Sequence, residues 1–217
     1  MNILALDTSL NACSVALVEA GQVRASVIQP MQRGHQEQLA PMVASVLDKA
    51  GIRPAALDRI AVTLGPGSFT GLRVGLSYAK GFALGLGVPL VGFSTLACLA
   101  SMLDAKGAIL AVIDARREQL YAQLFEGQRP VADSFALSLD DLAALTALPE
   151  VDAVVGPGAD RLQARFPDAR IETPELLDPV ALARLAALAD PELARPDPVY
   201  IREPDAKLPG GLSLADL

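Results

Sequence analysis

Gly65-Pro66-Gly67-Ser68-Phe69-Thr70-Gly71-Leu72-Arg73-Val74-Gly75 separates two stretches of different pattern. Before it, Ile60-Ala61-Val62-Thr63-Leu64 is an apolar run that reads as a buried strand. After it, from about Thr70 to Leu86, the pattern is helical. The chain therefore passes from strand to helix through a glycine-rich turn. Gly65 and Gly67 can take backbone angles that a Cβ disfavours. Ser68 or Thr70 can cap the first helical turn, whose free N–H groups attract anions, phosphate included.

The helix that follows carries Gly71, Gly75, Gly81 and Gly85. An interior glycine costs about 1 kcal/mol relative to alanine, so four of them need a reason. Gly71, Gly75 and Ala79 are spaced by four and share one face; Gly81 and Gly85 form a second pair. Between Val74 and Leu103 there is no acid, and Lys80 is the only charge. A solvated helix shows a polar stripe, so this one is expected to be covered on most sides, by its own domain or by a partner.

The whole chain has 217 residues, 52% of them hydrophobic, enough for one large domain or two small ones. Its 18 basic and 25 acidic residues leave a formal charge of -7, which argues against a chain that grips nucleic acid unaided. Trp is absent and aromatics are 4%, which argues against a base-stacking platform. Cys13 and Cys98 lie far apart in apolar surroundings and read as buried free thiols of a reducing compartment. The stretch from Met1 to Asp7 has no basic leader and is expected to be a first strand, not a signal peptide. No apolar run spans a membrane without interruption, so the expected location is the cytoplasm.

Going outward from the turn, Cys13 to Glu19 and Gln22 to Ile28 flank Ala20-Gly21 as a hairpin. Leu39, Met42, Val43, Val46 and Leu47 recur at helical spacing between His35 and Ala50, and Gly51 stops that helix. Val88 to Gly92 is a short strand, and Ser94 caps a helix to about Leu103. In the second half, Ala108 to Ile113, Gln119 to Phe125 and Val151 to Val155 read as strands. Ser138 is expected to cap a short helix, and Pro179 to Leu188 to form another. From Pro191 onward prolines keep the chain extended.

The halves echo each other. Ile3 to Asp7 matches Ile109 to Asp114, Val15 to Gly21 matches Tyr121 to Gly127, and Gly65-Pro66-Gly67 matches Gly156-Pro157-Gly158. A duplicated α/β protein is expected, with domains 1–104 and 105–217 facing a cleft.

Asp7-Thr8-Ser9 closes the first strand. In a cleft it can hold a metal–water cluster near phosphates, with Gly65, Gly67 and Ser68 opposite; alternatively Asp7 caps its own turn. The turn is not a dinucleotide fingerprint, because its spacing is G-x-G-x-x-x-G and no acid follows near twenty residues on. No Gly-Lys-Ser/Thr follows either, which excludes a Walker A loop. His35 is the only histidine and reads as a capping or surface residue; with two distant cysteines, a zinc or iron site is not expected. Arg116, Arg117 and Glu118 read equally as a solvated turn or a partner contact.

GPGSFTGLRVG at 65–75 resembles the TsaB (YeaZ) family, the small paralogue of TsaD. So do ALDTS at 5–9, RGHQEQLAPM at 33–42, Asp114 to Glu118 with Tyr121, and Pro198 to Arg202, in family order over nearly the whole chain. The resemblance implies the duplicated actin/sugar kinase/Hsp70-like (ribonuclease H-like) α/β fold. It implies a part in forming N6-threonylcarbamoyladenosine at position 37 of tRNAs reading codons that begin with A. There TsaD transfers the group, and this family serves as its non-catalytic partner beside the ATPase TsaE. It further implies no metal or cofactor, at most weak ATP or ADP binding, and tRNA contact only through the complex. The partner surface, for TsaD or for a homodimer, would be a helical bundle with Leu39, Met42, Val43, Val46, Leu72, Gly75, Leu76, Ala79 and Phe82 as candidates. A nucleotide-dependent phosphotransferase of the same fold, with Asp7 and Asp114 converging on Mg–ATP, is the alternative. A peptidase of the glycoprotease type lacks a credible metal set or triad.

Overall fold

The computed structural model describes residues 1–105, 107–116, 118–199 and 201. Arg117, Tyr200, Arg202 and the expected tail 204–217 lie outside them. The first sheet holds β1 (Asn2–Asp7), β2 (Ala12–Glu19), β3 (Gln22–Pro30), β4 (Arg59–Thr63) and β5 (Leu90–Phe93), in the order β3-β2-β1-β4-β5. β1, β2 and β3 pair antiparallel, whereas β4 and β5 run parallel to β1. The second sheet holds β6 (Ala108–Arg116), β7 (Gln119–Glu126), β8 (Arg129–Pro130), β9 (Phe135–Ser138), β10 (Ala153–Val155) and β11 (Arg170–Glu172). Its order is β11-β10-β6-β7-β8, with β9 also on β7. β6 thus repeats β1: an antiparallel hairpin on one side, two parallel strands on the other. The duplication seen in the residues is a duplication of topology.

Among the described residues five α-helices complete the fold: α1 (His35–Ala50), α2 (Phe69–Leu86), α3 (Thr95–Ser101), α4 (Leu142–Ala147) and α5 (Pro179–Leu188). Alternation along the central strands fixes what covers each face. Leu4, Leu6, Val15 and Leu17 meet Leu39, Val43 and Val46 of α1 and Ala79 and Ala83 of α2. Ile3, Ala5 and Val18, on the opposite face, share a core with Leu96 and Leu99 of α3, Leu182 and Ala186 of α5, and Ile109 and Ala111 of the second sheet. Leu110, Val112 and Val154 on that sheet's far face pack with Leu148, Leu162 and Phe166. So α3 and α5 form a layer between the sheets.

That layer is shared between the halves. The helix α5 follows the second sheet in the chain but packs on β1 and β2, and α3 follows the first sheet but packs on β6. Arg59 of β4 donates to the carbonyls of Ala186 and Ala189, the last turn of α5, at 2.8 Å to the latter. The chain beyond α5 stays with the first sheet: Gly92 N donates to Ala194 O (3.0 Å) and Val199 N to Leu64 O (2.8 Å). A boundary at 104/105 divides the sheets but not the helices between them.

Most caps follow the residues. Ser68 Oγ accepts from Gly71 N at 3.2 Å, Ser94 Oγ from Ala97 N at 3.0 Å, and Asp178 from Val180 N at 2.9 Å with Pro179 at the first helical position. Ser138 is a correction. It ends β9, whose ladder with β7 runs from Phe135 to Ser138, and Asp141 caps α4 instead by accepting from Ala144 N (3.0 Å).

Candidate functional site

The strand β1 ends under the glycine turn. Asp7, Thr8 and Ser9 are all 0–1% exposed. Asp7 Oδ1 accepts from Ser9 N (2.9 Å), Ser9 Oγ (2.5 Å) and Thr63 Oγ1 (2.7 Å). Through Ser9, Asp7 caps its own turn. Its Oδ2 is buried with no hydrogen-bond partner. Burial pushes the Asp7 carboxyl above its ordinary range, while the bonds from Ser9 and Thr63 and the nearby His35 pull the other way.

The turn then closes over this strand end. Ser68 N donates to Ser9 O at 2.7 Å, and Thr8 Oγ1 donates to Gly71 O at 2.7 Å. Glycine is needed here for close approach. A Cβ on Gly67 would overlap the Ser9 carbonyl oxygen, one on Gly71 the Thr8 carbonyl oxygen, and one on Gly75 the Thr8 hydroxyl. Gly65 needs its glycine for another reason as well, a φ of 99°. Among the candidate phosphate ligands, only Ser9, Gly67 and Ser68 line the open cleft; Asp7, Thr8 and Gly65 are buried beneath. The turn thus buries three of the six candidates and leaves Ser9, Gly67 and Ser68 at the cleft.

The second half is closed in the same way. Asp114 N donates to Pro157 O (2.7 Å), and the place of a Cβ on Gly156 is taken by the Val112 carbonyl. Asp114 Oδ1 accepts from Arg116 N at 2.7 Å and faces Arg161 at 3.6 Å, and Arg161 also pairs with Glu118. Arg116 and Glu118 hold φ of 63° and 55°, so this turn is left-handed at two non-glycine positions. Asp114 rims the cleft and Asp7 does not, so the two acids do not converge on one opening. The cleft measures about 760 Å³.

The buried carboxyl gives a test. A folded-state pKa above the ordinary 3.8 contributes stability that is full below that value and lost as pH rises through the raised one. Asp7→Asn keeps the Oδ1 acceptor and stays neutral. It is expected to melt above wild type at pH 8 and to lose that advantage toward pH 4, as read by thermal circular dichroism. An equal difference at both pH values would mean that burial does not penalise the Asp7 charge.

The expected partner residues need correction. Leu39, Met42, Val43, Val46, Leu72 and Ala79 are at most 6% exposed within this chain, and Gly75 is buried under Thr8. Leu76 and Phe82 are half-buried against the same core. The periodicity marked the face that packs on the sheet. The opposite face of α2 is open: Leu84 is 84% exposed, and a Cβ on Gly81 or Gly85 would meet nothing within 4 Å. Beside it, a groove of about 600 Å³ runs between α1 and α2, lined by Gln36, Val74, Ser77 and Tyr78. There the Arg73 guanidinium lies 3.7 Å over the Phe69 ring. Leu84 was not singled out from the residues, but the near absence of charge between Val74 and Leu103 and the Gly81–Gly85 spacing were its signal.

Two halves of one topology, each with an acid next to a glycine turn, define the duplicated α/β class shared by actin, sugar kinases and Hsp70. The activator of 2-hydroxyisocaproyl-CoA dehydratase from Clostridium difficile has this fold at 11% identity and a TM-score of 0.51, over 86% of this chain and 94% of that one. Within the class, the chain belongs to the TsaB/YeaZ family. Residues 23–183 match the family described as TsaD: tRNA N6-adenosine threonylcarbamoyltransferase. YeaZ from Pseudomonas aeruginosa is 32% identical with a TM-score of 0.74, covering 92% of this chain and 99% of that one. The tRNA threonylcarbamoyladenosine biosynthesis protein TsaB of Escherichia coli (strain K12) is 41% identical over 124 residues, 56% of this chain and 53% of that protein. The chain spans about half the length of the first curated relatives it matches. No helix among the described residues is long and apolar enough to cross a membrane.

Proposed function

We propose that this protein is a non-catalytic partner of TsaD in the formation of N6-threonylcarbamoyladenosine at position 37 of tRNAs reading codons that begin with A, acting in the cytoplasm with TsaE. The observation that carries this reading is the closed strand end. With Ser68 bound to the Ser9 carbonyl and Gly71 seated on Thr8, three of the candidate phosphate residues, Asp7, Thr8 and Gly65, are buried beneath the chain's own turn. What the protein offers instead is a surface. The open face of α2 with Leu84, Gly81 and Gly85, continued by the groove to α1, is free of acids on α2 and smooth enough for a partner helix. The same face serves a second copy of this chain when TsaD is absent.

The test is reconstitution. The pure protein is expected neither to hydrolyse ATP nor to modify tRNA, and to restore modification when added to TsaD and TsaE supplied with threonylcarbamoyl-adenylate. Modification of tRNA by this protein without TsaD would overturn the proposal.

A further inference from the structure

The open side of α2 carries charge of the sign that the rest of the chain lacks. The protein has 25 acids and a formal charge of -7, yet α2 holds no acid. Its two charged residues, Arg73 and Lys80, are both cationic and both exposed. Around the helix axis Phe69, Arg73, Lys80 and Leu84 fall within about 60° of one another, so they form a single stripe. Arg73 and Lys80 are two turns apart on it, about 10.5 Å along the axis.

Among the described residues neither cation has an ion pair. The Arg73 guanidinium is stacked over the Phe69 ring, which holds its plane and leaves its N–H edge open to a bidentate carboxylate. No acid is among the residues that line the neighbouring groove. The stripe is therefore basic for two turns and apolar at its Leu84 end, and nothing on the chain's own surface answers its charge.

A second copy of the chain answers it poorly. Stripe against stripe would oppose cation to cation. The acids of α1, Glu37 and Asp48, are both exposed, but they stand about 16.5 Å apart along their helix, so they cannot meet Arg73 and Lys80 together.

We propose that the open stripe of α2 docks an acidic amphipathic helix of the partner protein, with two carboxylates seven residues apart meeting Arg73 and Lys80 and an apolar side chain meeting Leu84. This rests on the partner reading and names the chemistry of the partner's surface. Charge complementarity of this kind selects between partners more than it adds affinity, so Arg73 and Lys80 are the residues that favour the unlike partner over a second copy.

The test is the affinity for TsaD from the same organism, measured by titration calorimetry at low and at high sodium chloride. Lys80→Glu is expected to weaken the complex about fivefold at low salt, and Arg73→Glu with Lys80→Glu about thirtyfold, with melting temperatures unchanged because both side chains are exposed. Salt is expected to weaken the wild-type complex and to shrink the gap to the double variant. Arg129→Glu, the same change of charge on the second sheet, should leave the affinity unchanged. If wild type binds TsaD and the double variant binds it equally well, this inference is overturned and the partner reading stands. Loss of self-association in the double variant, with TsaD binding intact, overturns it too and assigns the stripe to a second copy. A wild type that does not bind TsaD overturns the partner reading and this inference with it.

Discussion

Gly71→Ala is expected to cost roughly 3 kcal/mol or more of stability, while the same change at Gly81 gains up to about 1 kcal/mol. Both glycines lie in one helix, so intrinsic propensity favours alanine at each. The sign differs because of what lies outside the helix. At Gly81 the new methyl enters open space. At Gly71 it would overlap the main-chain oxygen of Thr8, and β1 cannot retreat. That strand is hydrogen-bonded on both sides, to β2 and to β4, and Thr8 and Ser9 are held against the turn by their own bonds to Gly71 O and Ser68 N. Against a typical total of about 5–15 kcal/mol, such a loss leaves much of the chain unfolded at physiological temperature. Urea unfolding followed by circular dichroism measures both variants. A Gly71→Ala midpoint equal to wild type would mean that the turn does not sit on β1 as described.

Leu84→Arg is expected to weaken association with TsaD about 100-fold while leaving the melting temperature unchanged. This rests on the partner proposal. The side chain is 84% exposed, so its loss removes nothing from the core. In a helix-to-helix contact, an arginine at the centre of an apolar patch meets apolar atoms without a counter-charge, an arrangement that interface cores avoid. Truncation of a central anchor commonly costs two or more kcal/mol, and 100-fold is about 2.7 kcal/mol. Light scattering after size exclusion, on the protein alone and mixed with TsaD, reads the outcome. A complex that survives Leu84→Arg would move the partner surface away from this face of α2. Gly75→Leu would not serve the same purpose, because it strikes Thr8 and damages the fold before it can report on a partner.

Much of the architecture was legible in the residues because it is local. The unbroken apolar run at 60–64 and the spaced apolar positions between Leu39 and Leu47 lie in a strand and a helix for reasons contained in those segments. Ser68 and Ser94 cap where a hydroxyl meets the first apolar period. The echo of Ile3 to Asp7 in Ile109 to Asp114 told of two similar halves, since the same pattern imposes the same topology. The specific block from Gly65 to Gly75 carried the family.

The tertiary structure decided what each apolar or glycine face meets. Periodicity shows that a face is covered; it does not distinguish a sheet of the same chain from a partner. That is why Leu39, Met42, Val43 and Val46 were expected at an interface and are found on β1 and β2. Gly71 and Gly81 look alike in sequence, and only the approach of Thr8, 63 residues from Gly71, separates a glycine that is required from one that is free. The same holds for Asp7. Its position at a strand end left open a metal–phosphate role and a self-capping one, and only the fold shows that Asp7 is buried and caps its own turn through Ser9 N. Exchange of α3 and α5 between the sheets was equally out of reach, because each helix is amphipathic towards a layer whose other members lie far away in the chain. By itself, then, the sequence determined the elements, the duplication and the family through short-range pattern. The covering of the strand end, and hence which chemistry stays available, depended on backbone contacts between distant segments that no local pattern encodes.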